Sequence, residues 1–260
     1  MQIDIQSDFH MHSRYSDGSG NIDEMVHAAI SAGLIQITIT DHMPLPFSNR
    51  YAMDKNNVEL YRYEITQLQH TYSERLKINL GLEMEFIPSC RTWIHDLAQR
   101  GWDYLIASIH YLPGRDGSLH LVNGTREEFI PLIRSFGHDG KALCRQYYRI
   151  LQEAFSTGWF DIVGHLDVVK KHNDSRDLFD ESSSWYRTLV LDTLDIIKEQ
   201  EMMMEINTAG FIHQRAEQYP STWIIREAMK REIHIVLGSD SHVPDTLGQH
   251  FTAFCKHIGT

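Results

Sequence analysis

The chain has 260 residues, 42% of them hydrophobic and 10% aromatic, the make-up of an ordinary globular protein, and no run approaches the roughly eighteen apolar residues of a membrane span. Its 24 Lys and Arg against 35 Asp and Glu leave a net charge of -11, which gains little from counterion release and argues against nucleic acid as a primary partner. Cys90, Cys144 and Cys255 are widely spaced without a Cys-x-x-Cys, against a disulfide framework or thiolate metal site, and the start Met1-Gln2-Ile3-Asp4 has neither a basic segment nor an apolar stretch, so no secretory signal and a cytoplasmic location are expected.

The alternating run Ile3-Asp4-Ile5 leads into Asp8-Phe9-His10-Met11-His12, where strand geometry projects His10 and His12 from one face, a span suited to two ligands of one metal ion. Imidazole is the commonest metal ligand, yet His-x-His by itself is a weak signal and is more often a polar strand face. After a polar loop, Ser13 to Gly20, the pair Asn21 and Glu24 forms a capping-box pattern, and Ile22, Met25, Val26, Ala29 and Ile30 keep helical spacing up to Gly33 at C′. Ile35 to Thr40 is a β-branched strand delivering Asp41-His42, and past Pro44 and Pro46 a helix runs from about Asn57 to Glu74. Leu76 to Leu82 is a third strand delivering Glu83 and Glu85; Ile94 to Arg100 is helical; Asp103 to Ser108 is a strand with His110 just past its end. A loop containing Gly114, Gly117 and Gly124 precedes a helical region from Glu127 to Thr157, broken near Gly137 to Gly140. Phe160 to Val163 is a fifth strand followed by His165, and Ser183 or Ser184 caps a helix running to Glu201. Met203 to Ile206 is a sixth strand ending at Asn207, Pro220-Ser221 opens a helix to Arg231, and His234 to Leu237 is a seventh strand ending in Gly238-Ser239-Asp240-Ser241-His242.

Seven short apolar strands alternating with helices predict a parallel α/β barrel in one domain spanning 1–260, because βαβ units need crossover helices and strands buried on both faces. His10, His12, His42, Glu83, His110, His165, Asp240 and His242 all fall at or just beyond strand C-termini, the end of such barrels that carries the active site. Singly each has a plain structural explanation: His110 as a core histidine, Glu83 as a helix-capping acid, Asp240-Ser241 as a turn. Together they would have to converge by accident on one end of one barrel, and loop residues held on a rigid scaffold are where function concentrates.

The run Asp8 to Gly18, with Thr40-Asp41-His42, Gly81-Leu82-Glu83, Ser108-Ile109-His110, Gly164-His165 and Gly238-Ser239-Asp240-Ser241-His242, resembles the PHP (polymerase and histidinol phosphatase) family. The resemblance spans nearly the whole chain in the same order. It implies a distorted seven-stranded (β/α)7 TIM-like barrel holding two or three divalent metal ions. By motif, His10, His12, Glu83 and Asp240 would hold the first ion, Glu83, His110 and His165 the second, and Asp17, His42 and His242 the third, with Glu83 bridging the first two. Asp17 departs from other branches, which carry histidine there, and so leaves the third metal open. The tail after His242 is shorter than this branch leads one to expect, so an incomplete last helix is anticipated.

Within the family, Glu205-Ile206-Asn207-Thr208-Ala209-Gly210 followed by Tyr219-Pro220-Ser221, and Gly164-His165-Leu166-Asp167 followed by Lys170-Lys171, resemble the histidinol-phosphatase branch. The implied activity is hydrolysis of a small phosphate ester, L-histidinol phosphate to L-histidinol and phosphate in histidine biosynthesis, with Glu83, Asp17 and His242 as catalytic residues. Another small phosphoester or nucleotide is the nearest alternative, and a non-catalytic metal-binding barrel is a third. Mixed imidazole and carboxylate donors suit Zn²⁺, Mn²⁺ or Fe²⁺ better than Mg²⁺ alone or Ca²⁺. Clustered ions can bring the pKa of a water towards about 7, so that hydroxide attacks phosphorus. The leaving group would be protonated from a metal-held water or by Asp17 or His242. Arg215, with Lys171 second, is the expected phosphate cation, because a guanidinium fork matches phosphate oxygens.

Overall fold

The computed structural model describes residues 3–212 and 216–258. Nine strands and eight α-helices occur among them. In chain order the strands are β1 (Ser7–Asp8), β2 (Gln36–Ile39), β3 (Lys77–Glu85), β4 (Tyr104–Ser108), β5 (Tyr111–Pro113), β6 (Leu119–Leu121), β7 (Ile162–Val163), β8 (Met203–Asn207) and β9 (Ile235–Gly238). The helices are α1 (Ile22–Ser31), α2 (Val58–Tyr72), α3 (Arg91–Ala98), α4 (Arg126–Ser135), α5 (Gly140–Phe155), α6 (Ser184–Glu199), α7 (Thr222–Lys230) and α8 (Phe251–Ile258).

Seven strands pair in parallel in the order β1-β2-β3-β4-β7-β8-β9, while β5 and β6 form a separate antiparallel hairpin. The segment after β1 meets the end of β9 through Phe9 N to Leu237 O at 2.9 Å, Asp240 N to His10 O at 2.8 Å and His12 N to Ser241 O at 2.8 Å, which closes the sheet into a barrel. With every barrel strand parallel, all C-terminal ends lie on one face. The strands are apolar because both faces are covered: β3 is buried at every position except Lys77.

Local chemistry explains the helices. Asn21 accepts from Glu24 N while the Glu24 carboxylate takes Asn21 N, the reciprocal cap read from the sequence, and Gly33 takes φ +78° just past α1. Thr125 and Glu128 repeat that box at α4, and Gly137 with φ +64° separates α4 from α5. Helix α5 buries Leu143, Tyr147, Tyr148, Leu151 and Phe155, each contributing about 1.5–3 kcal/mol on burial, and is pinned to α6 through Tyr148 and Tyr186 hydroxyls 3.1 Å apart.

Two local expectations change. The predicted first strand shrinks to Ser7–Asp8; Ile3 is buried, but Ile5 is 40% exposed, so the apolar alternation before it does not describe a paired strand. The glycine-rich loop after β4 contains the β5–β6 hairpin, whose three-residue strands are too short to leave a periodic signal. The chain past His242 forms α8, with Phe251 and Phe254 buried against the core. Among the described residues, no helix is long and apolar enough to cross a membrane.

Candidate metal centre

At the C-terminal face of the barrel, the donor atoms of nine side chains draw together in three overlapping groups. In the first, His10 Nε2 and His12 Nε2 are 3.2 Å apart, His12 Nε2 is 3.2 Å from Asp240 Oδ1, and Glu83 Oε2 lies 3.4 and 3.6 Å from the two imidazoles. In the second, Glu83 Oε1 is 2.9 Å from His165 Nε2 and 3.2 Å from His110 Nε2, themselves 3.1 Å apart. In the third, Asp17 Oδ1 stands 3.3 Å from His242 Nε2 and 3.7 Å from His42 Nε2. The two oxygens of Glu83 therefore face two different groups. Two residues extend further than their motifs suggested: His42 reaches Glu83 Oε2 through Nδ1 at 2.8 Å, and His12 Nδ1 comes within 4.0 Å of Asp17.

These separations fit shared cations. Two nitrogens about 2.0–2.1 Å from a tetrahedral zinc ion stand roughly 3.3 Å apart, close to both imidazole pairs. Asp17 Oδ1, Glu83 Oε2 and His165 Nδ1 are buried without a hydrogen-bond partner, although ring nitrogens surround both oxygens. Buried acceptors are rarely left so, and a cation between the two carboxylate oxygens and the imidazoles would satisfy those oxygens. Asp240 takes φ +51°, a conformation an aspartate adopts at a cost, and its N–H is held by His10 O. Strain at a donor is common where a site dictates the backbone.

Electrostatics point the same way. Burial alone would push the Glu83 and Asp240 carboxyls up, but His110, His10 and His42 around Glu83, and His10, His12 and His242 around Asp240, hold both well below the usual range. His12 is pushed down to about 3 by burial and by neighbouring His242 and His42, so it is neutral and able to ligate. His242 goes the other way: burial lowers it, but Asp17 and Asp240 raise it to about 9.

Behind these donors stands a second set of carboxylates. Glu205 Oε1 is 2.7 Å from His10 Nδ1, and its Oε2 accepts from His165 N at 2.7 Å. Glu85 Oε2 is 2.9 Å from His110 Nδ1, and Glu85 also accepts from His110 N and Tyr111 N. Asp8 accepts from Ser239 N and Gly248 N, and Asp41 from Ser13 N and Ser16 N, fixing the segments that carry His10, Asp240 and Asp17. Taking the Nδ1 proton leaves each Nε2 lone pair facing inward. Gly238 is required here, since a Cβ would meet Glu205 Oε1 at 2.0 Å. Glu205 and Glu85 carried no role in the sequence reading. The available signal was an acid inside an apolar strand, which must be paired when buried. Glu205→Gln, which weakens that acceptor, is expected to lower metal affinity about tenfold; competition with a chromophoric chelator measures it, and unchanged affinity would remove Glu205 from the design.

Beside the donors lies a cavity of about 140 Å³. Its metal-side wall includes Asp17, His42, Glu83, His110, Asp240 and His242. Lys171 is outside that lining; its Nζ donates to Asn123 O on the cavity's far rim, and burial lowers its pKa. Arg215 lies outside the described residues.

The family model for the PHP domain matches residues 8–209. The chain belongs to the PHP domain family. This PHP chain is 34% identical over 257 residues to a Deinococcus radiodurans protein named "probable histidinol-phosphatase", covering 96% of the chain and 92% of the relative. It is 31% identical over 267 residues to the histidinol-phosphatase of Bacillus subtilis, covering 96% and 98%. The fold matches the crystal structure of histidinol phosphate phosphatase from Lactococcus lactis, complexed with zinc, L-histidinol and phosphate, with TM-score 0.75, 24% identity and coverage of 98% and 94%. The PHP barrel carries donor groups for more than one divalent ion.

Proposed function

We propose that this PHP barrel is a metal-dependent phosphomonoesterase acting on L-histidinol phosphate. The observation that carries the reading is the convergence of nine imidazole and carboxylate donors at the barrel mouth, six of which line a cavity there, supported by full-length similarity to histidinol-phosphatases. His10, His12, Glu83 and Asp240 would hold one ion, Glu83, His110 and His165 a second, and Asp17, His42 and His242 a third. When bound, such ions supply Lewis-acid charge to phosphoryl oxygens and lower the pKa of water.

The chain's own residues do the rest. Glu85 and Glu205 keep His110 and His10 in one tautomer and one orientation. Asp17 and His242, paired at 3.3 Å on the cavity wall, are assigned to holding the proton for the departing alcohol when the third ion is absent, because the His242 Nε2 lone pair serves either a metal or a proton and Nδ1 is committed to Asp240 O. Arg215 and Lys171 are assigned to the phosphate; Lys171 spends one donor on Asn123 O and keeps two. Arg215→Ala is expected to raise KM about tenfold to a hundredfold, the loss of one charge-assisted contact of roughly 1.5–3 kcal/mol. Steady-state kinetics with unchanged KM would free Arg215 from that role. A biosynthetic enzyme for a polar metabolite belongs in the cytoplasm, with no call for nucleic acid.

Initial rates on a panel of phosphomonoesters, with zinc or manganese supplied, test the reading. L-histidinol phosphate should exceed nucleotides and glycerol phosphate in kcat/KM; a nucleotide at the head of the panel would overturn it.

A further inference from the structure

Resting on that reading, we infer that the Tyr111 hydroxyl and the Asn123 side-chain amide recognise the imidazole of the leaving alcohol and set the enzyme's specificity. Both line the cavity beside the metal donors. They reach it through the β5–β6 hairpin: Tyr111 pairs with Leu121, and Asn123 lies two residues beyond Leu121, so strand alternation turns Leu121 and Asn123 one way and buried Val122 the other. Val122 N to His110 O at 2.8 Å keeps the pairing going past Leu121.

The other polar side chains on this part of the cavity are spent: Asn49 accepts from Tyr51 N and Ala52 N, the Tyr51 hydroxyl lies between Arg50 and Glu128, and Glu85 takes the N–H groups of His110 and Tyr111. Among the described residues, the Tyr111 hydroxyl and the Asn123 amide have no hydrogen-bond partner, although both residues are half-buried. A half-buried polar group that lines a cavity and bonds no other part of the chain is available to a ligand group. A phenol and a carboxamide each donate and accept, and a neutral imidazole offers one nitrogen of each kind. Tyr51, Leu45 and Leu121 supply the flat and apolar surface for the ring itself.

The frame around these groups is fixed from outside. Lys171 Nζ holds Asn123 O, His172 Nε2 is 3.0 Å from Gly124 O, and the Tyr111 ring packs edge-on to Phe47 at 5.5 Å.

Tyr111→Phe and Asn123→Leu remove the polar atoms with little change of volume. Each is expected to lower kcat/KM for L-histidinol phosphate about tenfold while leaving glycerol phosphate hydrolysis and bound metal unchanged. Wild type should prefer L-histidinol phosphate to L-phenylalaninol phosphate, whose ring has no nitrogen, and the variants should lose that preference. Equal losses on histidinol and glycerol phosphates, or an intact preference in both variants, would overturn the inference. Failure of the functional reading would show earlier and separately, as a wild type with no preference for L-histidinol phosphate over glycerol phosphate, and the inference would fall with it.

Discussion

Glu83→Gln is expected to lower kcat about a thousandfold with the fold intact. The two oxygens of Glu83 face different donor groups, Oε1 toward His110 and His165 and Oε2 toward His10, His12 and His42, so the charge of this carboxylate serves two groups at once. Glutamine keeps the volume and one acceptor oxygen, but its amide nitrogen has no lone pair for a metal ion and the side chain no longer carries a negative charge. Several kcal/mol of charge stabilisation at the metals is then lost, and about 4 kcal/mol corresponds to roughly a thousandfold in rate. Ser108 Oγ, which donates to Glu83 Oε1 at 2.6 Å, can also bond the amide oxygen, so unfolding is not the expected route. Single-turnover kinetics beside a circular dichroism spectrum make the check. Turnover within a factor of about ten of wild type, with metal still bound, would show that Glu83 does not join the two groups.

Stripping metal should have the largest effect on stability. Glu83, Asp240, His10, His12, His110 and His165 are buried or nearly so, and without cations their charges must be met by protons and by one another. An ion present at a thousand times its dissociation constant stabilises the folded state by about 4 kcal/mol, which for a chain of this size is a melting shift of roughly 10 °C. A calorimetric scan of chelated against zinc-reconstituted protein reads this directly. Identical transitions would mean that the donors do not hold metal in the folded chain.

The barrel was legible because parallel βα units repeat their own signal: each short apolar strand ends in a polar residue, and that polar residue is where the site lies. His42 after β2, His110 after β4 and His165 after β7 could be picked out that way, and so could Asp240 after β9. Glu205 was less visible because it sits within β8 between apolar neighbours, and its role shows only once β8 lies beside β7 and the segment after β1 in space. Asp17 could be named from a motif, but its pairing with His242, more than two hundred residues away, is a product of closure. The β5–β6 hairpin left no periodic trace, so Tyr111 and Asn123 could not be singled out beforehand. Lys171, the cation expected after a barrel strand to face the phosphate, spends one hydrogen bond on the Asn123 carbonyl at the rim and keeps two donors, a sharing that its position in the sequence does not reveal.

The central claim, that these donors assemble a metal-dependent phosphatase, is tested most directly by titrating stripped protein with zinc or manganese while phosphate release from L-histidinol phosphate is followed. The account predicts no turnover in the stripped chain and activity that reaches its plateau only after at least two equivalents of metal per chain. Turnover that survives stripping, or that saturates at a single equivalent, would contradict it.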